Sequence, residues 1–191
     1  MDNLKAAFLE TAISDAQATV RAIDVKVGAL LILLLAPFAN ISRVFAHVDK
    51  LCNGSSKLAF IVISVVFFGS WLLALIALVM AMGALNNPGD HIVGKKETKG
   101  SFYGAGLFPF GFVDVFLNRP RIKARKDLLT FVKDIPESNV EIELELTFEH
   151  MKVIYIRDLK SVRLKWGIRL SAVWLALGML IFLCSRYSIC L

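Results

Sequence analysis

The chain has 191 residues, of which 57% are hydrophobic, and its 22 Lys and Arg residues against 16 Asp and Glu give a formal net charge of +6. A mean hydropathy of +0.64 excludes an ordinary soluble domain of this length and points to an integral membrane protein. The expected class is all-α, with three transmembrane helices and long N- and C-terminal helices projecting into the cytoplasm as a helical stalk.

Residues 1–26 read as an amphipathic cytoplasmic lead-in helix. Ala6, Leu9, Ile13, Ala16, Val20, Ile23, Val27, Leu30 and Leu34 alternate in steps of four and three after the first step, the seam of a helix packed on another helix. Lys5, Glu10, Asp15, Arg21, Asp24 and Lys26 keep the first half in water, whereas the run from Val27 is apolar. A secretory signal peptide does not fit, because the apolar run starts only at residue 27 and four acids precede it.

Residues 27–85 read as a two-span hairpin. Span one, Val27 to Val48, is interrupted by Pro37 and carries Asn40 and Arg43 near its end, where both can reach an interface by snorkelling. Span two, Leu58 to Leu85, runs 28 residues without a charge, enough to cross a hydrocarbon core of about 30 Å with some tilt. Ser70, Ala74, Ala77 and Ala81 share one of its faces, which lets a neighbouring helix approach closely.

Residues 86–137 form a cytoplasmic aromatic and basic loop with a short helix. The stretch Phe102 to Leu117 holds five Phe and one Tyr among glycines and is too short and too broken for a fourth span; it suits a loop at the interface or lodged between helices. Ile122, Leu128, Leu129, Val132 and Ile135 then line one side of a short helix after Pro120 that ends before Pro136.

Residues 138–191 read as one long helix continuing into a third span, Leu170 to Tyr187. Ser138-Asn-Val-Glu141 is a capping box, and Glu141, Glu143 and Glu145 crowd the first turns, so the acids of 141–149 are read as a solvated, dipole-matched helix start. The alternation Val140, Ile142, Leu144, Leu146, Phe148 leaves a strand open over 140–148. From Leu144 a stripe follows through Phe148, Met151, Tyr155, Leu159, Val162, Trp166, Leu170, Val173, Leu177 and Ile181, with an eleven-residue period. At 1.5 Å per residue this helix is about 75 Å long.

Of the 22 cationic residues, 15 lie between Lys95 and Arg169. The positive-inside rule therefore places the N-terminus and the 86–167 loop in the cytoplasm and the C-terminus outside, as a multi-pass protein. Cys52, Cys184 and Cys190 then fall on or near the outer side; an oxidising face allows Cys52 to pair with Cys190, and three unpaired thiols are the simpler reading.

Catalytic chemistry is not expected. His47, His91 and His150 stand alone, no nucleophile or paired-carboxylate constellation is present, and no spacing suggests a metal or cofactor. An ion carrier is disfavoured, because span two has no ionisable group between Lys57 and Asp90. For a ligand with phosphate and a base, Phe102, Tyr103, Arg119, Arg121, Lys123 and Arg125 are the densest supply of cations and flat faces. The nearby glycines match neither a P-loop nor GxGxxG, and the same residues suit an anchor on anionic lipid headgroups. Arg21 and Asp24 can pair along one helix face, while Asp24 and Lys26 point differently and need partners elsewhere. These three charges read either as an ionic latch at the entry to span one or as interfacial charges that set its depth.

The stretch Arg21-Ala-Ile-Asp24-Val-Lys26-Val-Gly28-Ala-Leu-Leu resembles the segment D-x-K-(A/V)-x-x-L-L that leads into the first span of the transmembrane effectors of Pycsar antiphage systems. The order of a two-span hairpin, an aromatic-glycine loop (Ser101-Phe-Tyr-Gly-Ala-Gly), a short helix and a long helix into a last span is similar too. This resemblance implies a cell inner membrane protein that oligomerises and impairs the membrane when a cyclic pyrimidine mononucleotide, cUMP or cCMP, signals infection. The chain departs from a typical nucleotide sensor in having no β-roll with a phosphate-binding cassette. The alternative is a non-enzymatic membrane scaffold or assembly subunit that docks a cytoplasmic partner through its helical stripes. Both readings predict a homo-oligomer in the lipid bilayer, with no nucleic-acid partner.

Overall fold

The computed structural model describes residues 2–37, 57–83, 88–94, 98, 107–108 and 124–187, and every regular element among these residues is helical. Helix α1 spans Asp2–Leu35, α2 Lys57–Met82, α3 Leu128–Lys133 and α4 Asn139–Tyr187, with a 3-10 turn at Pro88–His91 between α2 and α3. The strand alternative over 140–148 is overturned, since those residues form the first turns of α4.

Local chemistry explains the ends. Glu141 N–H donates to Ser138 Oγ at 3.2 Å, and Glu141 Oε2 accepts from the Glu137 N–H at 3.4 Å. That is a capping box whose return arm lands one residue early. Asp127 caps α3 by accepting from the Thr130 N–H at 3.1 Å. Hydrogen bonds from the Thr130 side chain and backbone hold the Asp127 carboxyl below the usual carboxylate range. This cap sets the start of α3 at Leu128, so the helix is shorter than the sequence suggests. Its apolar side, Leu128, Leu129, Val132 and Ile135, is exposed.

The chain divides into two compact units, and α1 and α4 contribute to both. Unit 1 comprises Met1–Ala18 and Leu85–Ile156. Its core joins Leu9, Ile13 and Ala16 of α1 to Leu146 and Val153 of α4, and Lys5 Nζ meets Glu143 Oε2 at 2.5 Å. Gly89 is buried under Phe148, where a Cβ would lie 3.1 Å from the ring, and the His91 ring stacks on Tyr155 with centroids 4.7 Å apart. The expectation of a solvated acidic helix start is corrected here. Glu145 and Glu149 are 4% and 2% exposed, because they lie on the same side of α4 as Leu146. A buried carboxylate is costly without a counter-charge, and Lys152 supplies one to Glu149 while its ammonium lies 4.8 Å from the Phe148 ring centroid.

Unit 2 comprises Thr19–Ala84 and Arg157–Leu191. Ile23, Val27 and Leu34 of α1, Ala74, Leu78 and Ala81 of α2, and Leu164 and Trp174 of α4 form its core. The contacts fix directions. Trp71 of α2 reaches Leu34 near the end of α1, and Arg163, early in this part of α4, reaches Met80 near the end of α2, while Phe67 meets Trp174. Helix α2 is thus antiparallel to α1 and to α4, and the latter two run parallel.

The small-residue face of α2 is the packing face, with Ser70, Ala74 and Ala81 buried and Ala77 half-buried. Leu78, fully buried among them, presses on Gly167 of α4, where a Cβ would lie 2.6 Å from Leu78 Cδ2. The stripe read along α4 is corrected in part. Val162, Trp166 and Val173 are exposed, and the buried face instead carries Lys160, Leu164, Gly167, Ser171 and Trp174. Close helix approach selects small residues such as Gly167 and Ser171 at the contact, and Val162, Trp166 and Val173 are turned outward.

Two helices are long and apolar enough to cross a membrane, α2 over Val62–Met82 and α4 within Asn139–Leu183. In α1, the described apolar part is Val27–Leu35 followed by a 3-10 turn at residues 36–37, and the rest of the expected first span lies outside the described residues.

Candidate functional site

Of the charged residues of α1 nearest its apolar half, Arg21, Asp24 and Lys26, it is Asp24 that meets α4, at Lys160. Asp24 sits between the buried seam positions Ile23 and Val27. Lys160 lies on the buried face of α4, one turn before Leu164. Its stem is packed and its side chain is 10% exposed, so the ammonium needs a local anion. Asp24 provides it, with Nζ to Oδ1 at 2.5 Å, from a side chain that is 39% exposed.

One turn further along α4, Arg163 Nη1 donates to the Met80 carbonyl at 2.6 Å. That carbonyl is an end group of α2. Its neighbour Val79 is satisfied by the Gly83 N–H at 3.0 Å, and Arg163 takes the next one, placing a cation at the negative end of the helix. The end of α1 is treated alike, since Trp71 Nε1 donates to the Leu34 carbonyl at 3.0 Å where Pro37 offers no N–H. Outside the pair, the Arg169 guanidinium lies 5.3 Å from the Trp166 ring centroid. The Asp24–Lys160 pair thus joins α1 to α4 one turn of α4 before Arg163 reaches the end of α2.

Arg21 and Lys26 are exposed, and the carboxylate within reach of Arg21 along the helix is held by Lys160 instead. Asp24 has the partner on another element that its spacing from Lys26 calls for. Sequence reasoning missed Lys160 and Arg163. The signal for Lys160 was its place four residues before Leu164 and three turns before the apolar run, overlooked because a charged residue was not counted toward a seam.

Of the candidate ligand residues, Phe102, Tyr103, Arg119, Arg121 and Lys123 lie outside the described residues. Arg125 is exposed, and its N–H donates to the Leu107 carbonyl at 2.8 Å just ahead of α3. Cys52 and Cys190 lie outside the described residues as well, and of Cys184 only its place in α4 is described. Among the described residues no group of His, Cys, Asp or Glu converges to hold a metal ion. What the joint offers is electrostatic holding: a half-buried pair that ties α1 to α4 and that separates only if Lys160 finds another anion.

A scan against protein-family models and searches of curated proteins and of solved structures find no match to this chain.

Proposed function

We propose that this chain is a membrane effector of a Pycsar-like antiphage system, which impairs the inner membrane when a cyclic pyrimidine mononucleotide signals infection. Its bilayer placement is supported by α2 and α4, in each of which only 17% of the most apolar window is buried. A core helix of a soluble protein would be mostly covered, whereas bare Leu72, Leu73, Ile76, Met179, Leu180 and Phe182 suit a hydrocarbon solvent. In this reading the chain has three spans: parity asks that the crossing by α2 be matched by a second, the continuation of α1, if Lys5 and Glu143 are to meet on one side of the bilayer.

The observation that carries the effector reading is the Asp24–Lys160 pair. It involves Asp24, the acid of the D-x-K segment that resembles the family, and links it to the helix that is read as leading into the last span. In this reading the pair holds the resting state, and its separation passes a cytoplasmic rearrangement to the spans. The experiment is induced expression of the wild-type chain in cells carrying a membrane-potential dye, with and without a co-expressed cyclase making cUMP or cCMP. Depolarisation that requires the cyclase is expected, as is cyclase-independent depolarisation with Asp24→Ala. No depolarisation under any condition refutes the effector reading and leaves the scaffold.

A further inference from the structure

In both units α1 and α4 pack through one face, and the opposite faces are exposed. On α1 the exposed positions of that face are Leu4, Phe8, Thr11, Asp15, Ala18, Ala22, Val25, Ala29 and Ile32. They alternate in steps of four and three, a second heptad seam on the far side from the first. Leu4, Phe8 and Val25 are 76%, 68% and 73% exposed on the part of α1 that carries its charges, where lipid is not the solvent. On α4 the matching positions are Val140, Leu144 and Val162, exposed by 77%, 39% and 53%.

The ion pairs set the heights. In unit 1 Lys5 and Glu143, 138 residues apart, place Leu4 and Phe8 within a turn of the levels of Val140 and Leu144. In unit 2 Asp24 and Lys160, 136 residues apart, place Arg21 and Val25 at the levels of Asp158 and Val162. Both charged members are exposed, and Asp158, which receives Arg157 at 2.8 Å, keeps a side chain 62% open.

We propose that copies of this chain assemble head to tail, the outer face of α1 in one copy lying on the outer face of α4 in the next. Copies inserted in one membrane share one orientation, so equal heights within a chain become equal heights between neighbours. Leu4 then meets Val140, Phe8 meets Leu144, Val25 meets Val162, and Arg21 meets Asp158. A symmetric α1 to α1 contact is disfavoured on charge, because it would set Arg21 beside Lys26. The contact is heterologous, and it closes into a ring or extends as a filament. The proposal rests on the membrane placement given above, but not on the nucleotide trigger.

The test is disulfide cross-linking of the full chain in native membranes, with Cys52, Cys184 and Cys190 replaced by Ser. Co-expressed Phe8→Cys and Leu144→Cys chains should form mixed dimers on mild oxidation, neither chain alone should, and the two changes in one chain should give a ladder. Arg21→Glu should weaken the ladder by roughly tenfold and Arg21→Glu with Asp158→Arg should restore it. Dimers from Phe8→Cys alone, or inserted protein that stays monomeric in every combination, would overturn the proposal. A ladder without depolarisation refutes the effector reading alone, and depolarisation without a ladder refutes this assembly alone.

Discussion

Asp24 and Lys160 are unequally buried, and that inequality decides what each contributes. Removing the Asp24 charge leaves an ammonium that is 10% exposed with its anion gone, whereas removing the Lys160 charge leaves a carboxylate that is 39% exposed and reached by water. The first change costs about 3 kcal/mol, the range for stranding a buried charge; the second costs about 1 kcal/mol or less. Asp24→Asn should therefore lower the thermal midpoint of the detergent-solubilised protein more than Lys160→Met, which keeps the packed stem. Asp24→Asn with Lys160→Met should recover most of the loss. Equal losses from the two single changes would mean that the pair is solvated and holds nothing. At this scale the sequence was legible for Asp24 in part: its spacing from Lys26 called for a partner elsewhere, which Lys160 is, while pairing with Arg21 along the helix stayed equally open. It was not legible for Glu145 and Glu149. Their charge and the dipole-favourable helix start argued for solvent, and only the position of α1 over that side of α4 decides otherwise.

Elements were easier to read than the faces by which they pack. The nine seam positions of α1 from Ala6 to Leu34 are all buried or half-buried, because a heptad of apolar residues among charges leaves one solution in water. The capping box set the start of α4 for the same reason, since its chemistry is local. In α4 the rule fails both among its charges, where Leu144, Met151, Val162 and Trp166 of the stripe are exposed, and at its apolar end, where Val173 is. There every side is apolar, the bulkiest stripe ceases to mark the packing face, and Gly167 and Ser171 mark it instead. The Gly167 contact makes this testable. Gly167→Ala forces a methyl to within 2.6 Å of Leu78 Cδ2, and overpacking of this kind costs roughly 1–3 kcal/mol. Leu78→Ala alone opens a cavity at a fully buried site and costs about 2–4 kcal/mol. The combined variant, with room made for the new methyl, should be more stable than the sum of the two losses allows, as read by thermal denaturation in detergent. Strict additivity would place Leu78 and Gly167 out of contact.

For the whole molecule, the structure groups the chain into two units, each made of two segments far apart in sequence. The sequence offers the apolar stripes of α1 and α4, of similar reach, as partners for each other, and the shared core of Leu9, Ile13 and Ala16 with Leu146 and Val153 bears that out; that 85–137 belongs to the same unit was not legible, because no pattern along the chain marks it. Pro37 weakens the first span as a sequence signal; in the proposed arrangement the meeting of Lys5 with Glu143 is what asks for a second crossing beside α2. The proposed arrangement then has one expected pattern in reporter fusions. A fluorescent protein that folds only in the cytoplasm should glow when fused ahead of Asp2 or inserted at Thr98, and alkaline phosphatase should be active only when fused after Leu191. Glu143→Lys should weaken unit 1 without altering this pattern, because the count of crossings is set during insertion and the ion pair merely depends on it. A phosphatase active at Thr98 together with a fluorescent N-terminus would mean that α1 enters lipid and does not cross, and the parity argument would fall with it.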